Sequence, residues 1–178
     1  MRRFTALRFA SGALLTIVLA SPSRLAGQQG RVDPATPRTA AMQSGDQARV
    51  AATLRALFAA AERNDLAALD TLYAGDSLTV IEGAGLNRSW ADYRDHHLAP
   101  ELKEMKNFQY RPADIEVRML GADAAWAFFR YSLKADVGGR ATDVVGRGTA
   151  ILERRGARWV VRHTHTSGRA RRPTDPAL

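Results

Sequence analysis

The chain has 178 residues, enough for one domain and for two only if both are small. Hydrophobic residues at 46% and charged residues at 25% are an ordinary globular composition, and the absence of cysteine excludes a disulfide scaffold, a thiolate metal site and a cysteine nucleophile. The net charge of +8 belongs to the ends: residues 1–43 hold six arginines against Asp33, and residues 169–178 hold three against Asp175, which leaves +1 for 44–168. A domain that grips phosphate backbones carries its excess on its own surface, so nucleic acid is not an expected partner.

Met1-Arg2-Arg3 and Arg8 form a positive start, followed by the uncharged, largely apolar run Phe9–Ala20. That run is shorter than the roughly 20 residues a bilayer span needs. Small residues follow at Val18-Leu19-Ala20 and again at Leu25-Ala26-Gly27. The pattern predicts a signal peptide over 1–27, removed on export to the periplasm or medium with no stable membrane anchor. Residues 28–43 carry Pro34, Pro37 and Gly30 without periodicity and read as a disordered linker.

A domain is expected over 44–168. Ser44 and Gln47 make a capping-box pattern before Val50, Leu54, Leu57, Phe58 and Ala61, whose spacing predicts a helix over about 45–63. Asn64-Asp65 caps a shorter helix through Leu66, Leu69, Leu72 and Tyr73, which Gly75 ends. Residues 78–81 form a short strand, and Ser89-x-x-Asp92 caps a third helix that Pro100 should kink or restart. From Lys106 onward the period changes to alternation, with strands over 113–120, 123–134, 141–154 and 158–167 joined by hairpin signals. Three helices packed on a curved antiparallel sheet make an α+β domain. The Gly146-Arg147-Gly148 stretch fits a bulge or close backbone packing, and 169–178 reads as a disordered basic tail.

All four histidines fall in two clusters. Strand alternation puts Trp159, Val161, His163, His165 and Ser167 on one face. On the third helix, Trp90, Tyr93, His97 and Glu101 share one face, so His97 points inward and His96 to solvent. A pocket between this helix and that strand would hold His97, Tyr93, His163 and His165. Glu82, on the Leu78-Val80-Glu82 side of its strand, would have its pKa raised by desolvation and serve as acid or base. With Trp126 of the strand 123–134, the candidate pocket residues are Glu82, Trp90, Tyr93, His97, Trp126, His163 and His165. Histidine titrates near neutrality and can carry protons; the same side chains can instead fix the sheet end by hydrogen bonds. A third reading uses His97, His163 and His165 as zinc or copper ligands, though no resident metal or cofactor is expected.

Two stretches carry a family resemblance: Trp90-x-x-Tyr93-x-x-His96-His97-Leu98-x-Pro100-Glu101, and Gly148–Arg154 followed by Trp159–Ser167. Together with the paired N-terminal helices, over about 44–167, the sequence resembles the nuclear-transport-factor-2-like superfamily in its SnoaL-like and ketosteroid-isomerase-like branch. Its ending is also similar to the calcium/calmodulin-dependent kinase II association domain. The resemblance implies a cone-shaped barrel with a deep pocket and a homodimer through the outer sheet face. Family members isomerise, cyclise, dehydrate, open epoxides or only bind and assemble, so fold does not decide function. The leading expectation is an exported protein that binds a small, largely apolar molecule, with acid–base catalysis of isomerase, lyase or cyclase type. The alternatives are a non-catalytic dimerisation or accessory module with structural histidines, and a histidine-based metal binder.

Overall fold

The computed structural model describes residues 37–178. The predicted leader 1–27, and the linker as far as residue 36, lie outside the described residues. The first helix, α1, spans Pro37–Glu62 and so begins eight residues before the predicted start. Pro37 suits that position, because a first-turn residue has no intrahelical partner for the N–H that proline lacks. Val50, Leu54, Leu57, Phe58 and Ala61 are buried along one stripe of α1, as their spacing predicts. Asn64, with φ 55°, turns the chain, and the Asp65 carboxylate accepts from the Ala68 N–H at 3.0 Å to cap α2, Leu66–Leu72.

Next come the strands β1, Thr79–Glu82, and β2, Gly85–Asn87, then the helical segment α3, Trp90–Tyr93, a wide turn at Arg94–Leu98, and α4, Ala99–Glu104. Four long strands complete the chain: β3, Met105–Met119; β4, Ala124–Val137; β5, Arg140–Arg155; and β6, Arg158–Ala170. The sheet order is β2-β1-β6-β5-β4-β3. The predicted α+β class holds, with two corrections. The sheet is not closed into a barrel: β2 and β3 are free edges, joined through the helical segment 90–104 rather than by hydrogen bonds. It is also not wholly antiparallel, because β1 runs parallel to β6. No hairpin links those two strands, so nothing forces an antiparallel pairing.

Bulges curve the sheet around α1. Register shifts in β3 fall at Lys106/Gln109 and Ala113/Glu116, and Asn107 (φ 53°) and Asp114 (φ 51°) take the left-handed conformation there. The β4–β5 register is unbroken, so Gly146 and Gly148 are not a bulge. They leave room for rings, because a Cβ at Gly146 would run into Tyr131 and one at Gly148 into Phe129. The core lies between α1 and the concave face, where Phe58 packs on Tyr110 (centroids 4.4 Å) and edge-on against Phe129 (5.3 Å). At the far end β6 runs to Ala170, past the predicted start of an unstructured tail. The final turn is tied by Arg169 to Asp175 (two contacts of 2.7 Å) and by Arg171 to Asp143 (2.9 Å). Among the described residues no helix is long and apolar enough to cross a membrane.

Candidate functional site

Pro100 shapes the helical segment over the pocket. It has no N–H to bond the fourth residue back, and the Ala99 N–H instead reaches Arg94 five back, which gives a single wide π turn over Arg94–Leu98. This turn carries both adjacent histidines. His96 lies outside, 77% exposed and 3.3 Å from Asp92, while the His97 side chain is 24% exposed and turned toward β1.

Glu82 ends β1, on the same side as buried Val80, and the chain then reverses at Gly83 (φ 58°). Its two oxygens have different neighbours: Oε1 accepts the Tyr93 hydroxyl at 2.9 Å, and Oε2 lies 3.1 Å from His97 Nε2. Glu101, one turn after His97, places Oε1 3.2 Å from the same nitrogen. The other ring nitrogen, Nδ1, lies 3.1 Å from Asn87 Oδ1 on β2. Asn87 is held by its own Nδ2, which donates to Asp92 Oδ2 at 3.1 Å. Asp92 in turn accepts from the Arg88 N–H, and its carboxyl is held below the usual range by these donors. Burial pushes the Glu101 carboxyl above its ordinary range; neighbouring His97 opposes the shift and Glu82 adds to it.

Below this polar group is an apolar cavity of about 30 Å³, lined by Leu54, Phe58, Tyr110, Phe129, Thr164 and Thr166 among others, with Glu82 and Tyr93 at its polar end. A volume of that size accommodates about one water molecule. Tyr73, Tyr93 and Tyr110 border it, and burial, reinforced by the Glu82 charge, keeps all three phenols protonated well above their usual pKa. They are hydrogen-bond donors at neutral pH.

The structure brings Glu82, Tyr93 and His97 together and sets the other candidates apart. Trp90 is a packing anchor: it stacks on Tyr73 (4.6 Å, 21°) and its Nε1 donates to Asp70 Oδ1 at 2.6 Å. Trp126 lies on the opposite face of the sheet, where the Arg118 guanidinium stands 5.8 Å over its ring. His163 and His165 are also on that outer face, and the reason is a bulge. Ile151 pairs with His163 but Leu152 with Val161, so Arg162 is an extra residue that reverses the alternation beyond it. Thr164 and Thr166 therefore point inward, and His165 is exposed. The set His97, His163 and His165 is not assembled, and a metal held by those three is corrected accordingly. Desolvation, together with neighbouring His165, holds His163 below the usual histidine range.

Asn87, Glu101, Thr164 and Thr166 were not among the predicted site residues. Glu101 was within reach, because it shares the helix face of His97 at a four-residue spacing. The threonines were hidden by the bulge, which has no glycine or proline to mark it.

Over residues 50–170 the sequence matches the family model of the SnoaL-like domain. No curated protein matches the chain significantly. Among solved structures it is similar to a nuclear transport factor 2-like superfamily protein from Salmonella enterica (16% identity, 76% of this chain and 99% of that one, TM-score 0.66). A candidate ketosteroid isomerase from Shewanella frigidimarina is also similar (22% identity, 65% and 91%, TM-score 0.58). So is a candidate calcium/calmodulin-dependent protein kinase II association domain from Xanthomonas campestris (23% identity, 71% and 87%, TM-score 0.58). At these identities the structural likenesses carry the fold alone. The family match spans most of the described chain, and on it the protein belongs to the SnoaL-like domain family.

Proposed function

We propose that this protein binds a small, largely apolar molecule between α1 and the sheet and transfers protons on it, with Glu82 as the base. The observation that carries the reading is the Glu82 carboxylate at the polar end of an otherwise apolar cavity, flanked by the Tyr93 hydroxyl and His97 Nε2. For a ligand with an enolisable carbonyl, Glu82 would take the proton from the carbon beside the carbonyl. One of the protonated phenols would donate to the oxygen as charge develops there, and the proton would return to the same carbon or, where a double bond is conjugated to the enolate, to the far end of that double bond. Such chemistry needs no cofactor.

The reading includes export. The positive start, the short apolar run and the small residues at its end support removal of a leader before the protein acts. A second reading, a dimerisation module without catalysis, draws on Trp126, Phe128 and the 38%-exposed Ile151 of the outer sheet face.

Native mass spectrometry of protein recovered from the periplasm or medium of the producing cell tests these points together. The expected result is a chain shortened at its N-terminus that carries a small apolar molecule, with the molecule lost in Glu82→Gln. An intact Met1 terminus would contradict export. A ligand-free dimer, unchanged by Glu82→Gln, would favour the assembly reading.

A further inference from the structure

His97 Nε2 and one oxygen each of Glu82 and Glu101 converge at the mouth of the site, all within 4.8 Å of one another. Two carboxylate oxygens and one imidazole nitrogen thus face a common point. The other side of the ring shows how the imidazole is set up. The Asn87 amide is oriented by its donation to Asp92, so its Oδ1 faces His97 Nδ1 and accepts the proton there. That places the Nδ1–H in an outward hydrogen bond and leaves Nε2 as the atom aimed at the two carboxylates. A metal-binding histidine has this arrangement: one nitrogen toward the ion, and the other donating to a fixed oxygen acceptor.

We propose that Glu82, His97 and Glu101 form a binding site for a divalent first-row transition ion of the zinc class. One imidazole and two carboxylates suit such an ion better than magnesium or calcium, which take oxygen ligands. The spacing is close to what is required. Ligands at about 2.0–2.1 Å in a tetrahedron stand roughly 3.3–3.4 Å apart; the two nitrogen–oxygen separations here are 3.1 and 3.2 Å, and the two carboxylate oxygens lie within 4.8 Å of each other. An opening of a few tenths of an ångström admits the ion, and Glu101, 48% exposed on a helix end, can supply it. The three protein ligands leave a fourth position for water or a ligand polar group, the arrangement of an open rather than a closed zinc site. The proposal stands on the ligand geometry; an ion held by Glu82 would lower the basicity of that carboxylate, so metal binding and proton transfer by Glu82 compete for the same group.

The competing chelator on this protein is the outer-face pair His163 and His165, two residues apart on β6. Calorimetric titration with zinc chloride, followed by cobalt(II) absorption, separates the two. The full-length double variant His163→Gln/His165→Gln is expected to bind one ion per chain as wild type does. Glu101→Gln, on an exposed side chain that the fold tolerates, is expected to weaken binding by at least about tenfold, and His97→Gln likewise. Circular dichroism melting confirms that each variant is folded. Absence of stoichiometric binding by wild type, unchanged affinity in Glu101→Gln, or loss of binding in His163→Gln/His165→Gln would each overturn the proposal.

Discussion

Glu82 and His163 both belong to the parallel β1–β6 pairing, opposite Thr166 and Thr79 respectively, yet they face opposite sides of the sheet. The Tyr93 hydroxyl donates to one oxygen of Glu82, and His97 Nε2 stands 3.1 Å from the other. His163, paired in register with Thr79, sits on the outer face with His165 nearby. Desolvation penalises its charged form, so its folded pKa lies below 6.5. A depressed folded pKa means that the neutral form is preferred in the folded chain. The stability this group contributes is fully present above its unfolded pKa of about 6.5 and is lost as pH falls through the lower folded value. A histidine NMR titration should therefore place the His163 midpoint below 6.5, and His163→Gln should flatten that part of the acid-side decline in stability. A midpoint at or above 6.5 would contradict the burial assigned to it.

At the scale of elements, the site depends on two irregularities that serve opposite purposes. Pro100 widens one helical turn, which leaves His97 and Glu101 one turn apart and both facing β1. The extra residue Arg162 in β6 reverses which side chains line the cavity. The first was legible in the sequence, because proline marks its own position and the spacing of Trp90, Tyr93, His97 and Glu101 is intact around it. The second was not, because a bulge formed by an arginine between valine and histidine has no compositional signal. One uncounted residue moved His163, His165, Thr164 and Thr166 to the wrong faces. The helical stripe of α1 and three of the four long strands were readable because their periodicity extends over many residues and survives local error; β3 begins at Met105, eight residues before the predicted 113, where the irregular pairing around Asn107 and Asp114 breaks the alternation. The parallel β1–β6 pairing and the open sheet were not readable, since both depend on contacts between distant segments rather than on any local pattern.

Close packing between elements yields a prediction with its own control. A methyl group at Gly148 would meet the Phe129 ring and lie 3.1 Å from Thr166 Cγ2, and both of those residues line the cavity. Gly148→Ala should cost about 1–3 kcal/mol by overpacking. Gly45 of α1 has nothing within 4 Å of the same methyl position. Gly45→Ala should instead stabilise by about 0.5–1 kcal/mol through the lower backbone entropy of a helical alanine. Urea unfolding of both variants measures the difference, and a neutral Gly148→Ala would mean that Phe129 can yield where the packing says it cannot.

At the scale of the whole molecule, α1 and a bulged sheet enclose an apolar space that a short helical segment caps between the two free sheet edges. The Arg154 side chain ties the two layers, reaching Asp46 of α1 and lying 4.6 Å over the Trp159 ring. The enclosed space is small, about 30 Å³, and Tyr93 and Leu98 of the capping segment are among its lining residues. The most direct test of the central claim, that Glu82 moves protons on a molecule in this space, is hydrogen exchange of a small enolisable ketone. Exchange of the hydrogens beside the carbonyl of cyclohexanone in heavy water, followed by proton NMR, should be faster with wild-type protein than with acetate at the same carboxylate concentration. Glu82→Gln should remove that acceleration by roughly 100-fold or more, while His163→Gln/His165→Gln, on the outer face, should retain it. No acceleration over acetate, or an equal rate in Glu82→Gln, would contradict the account.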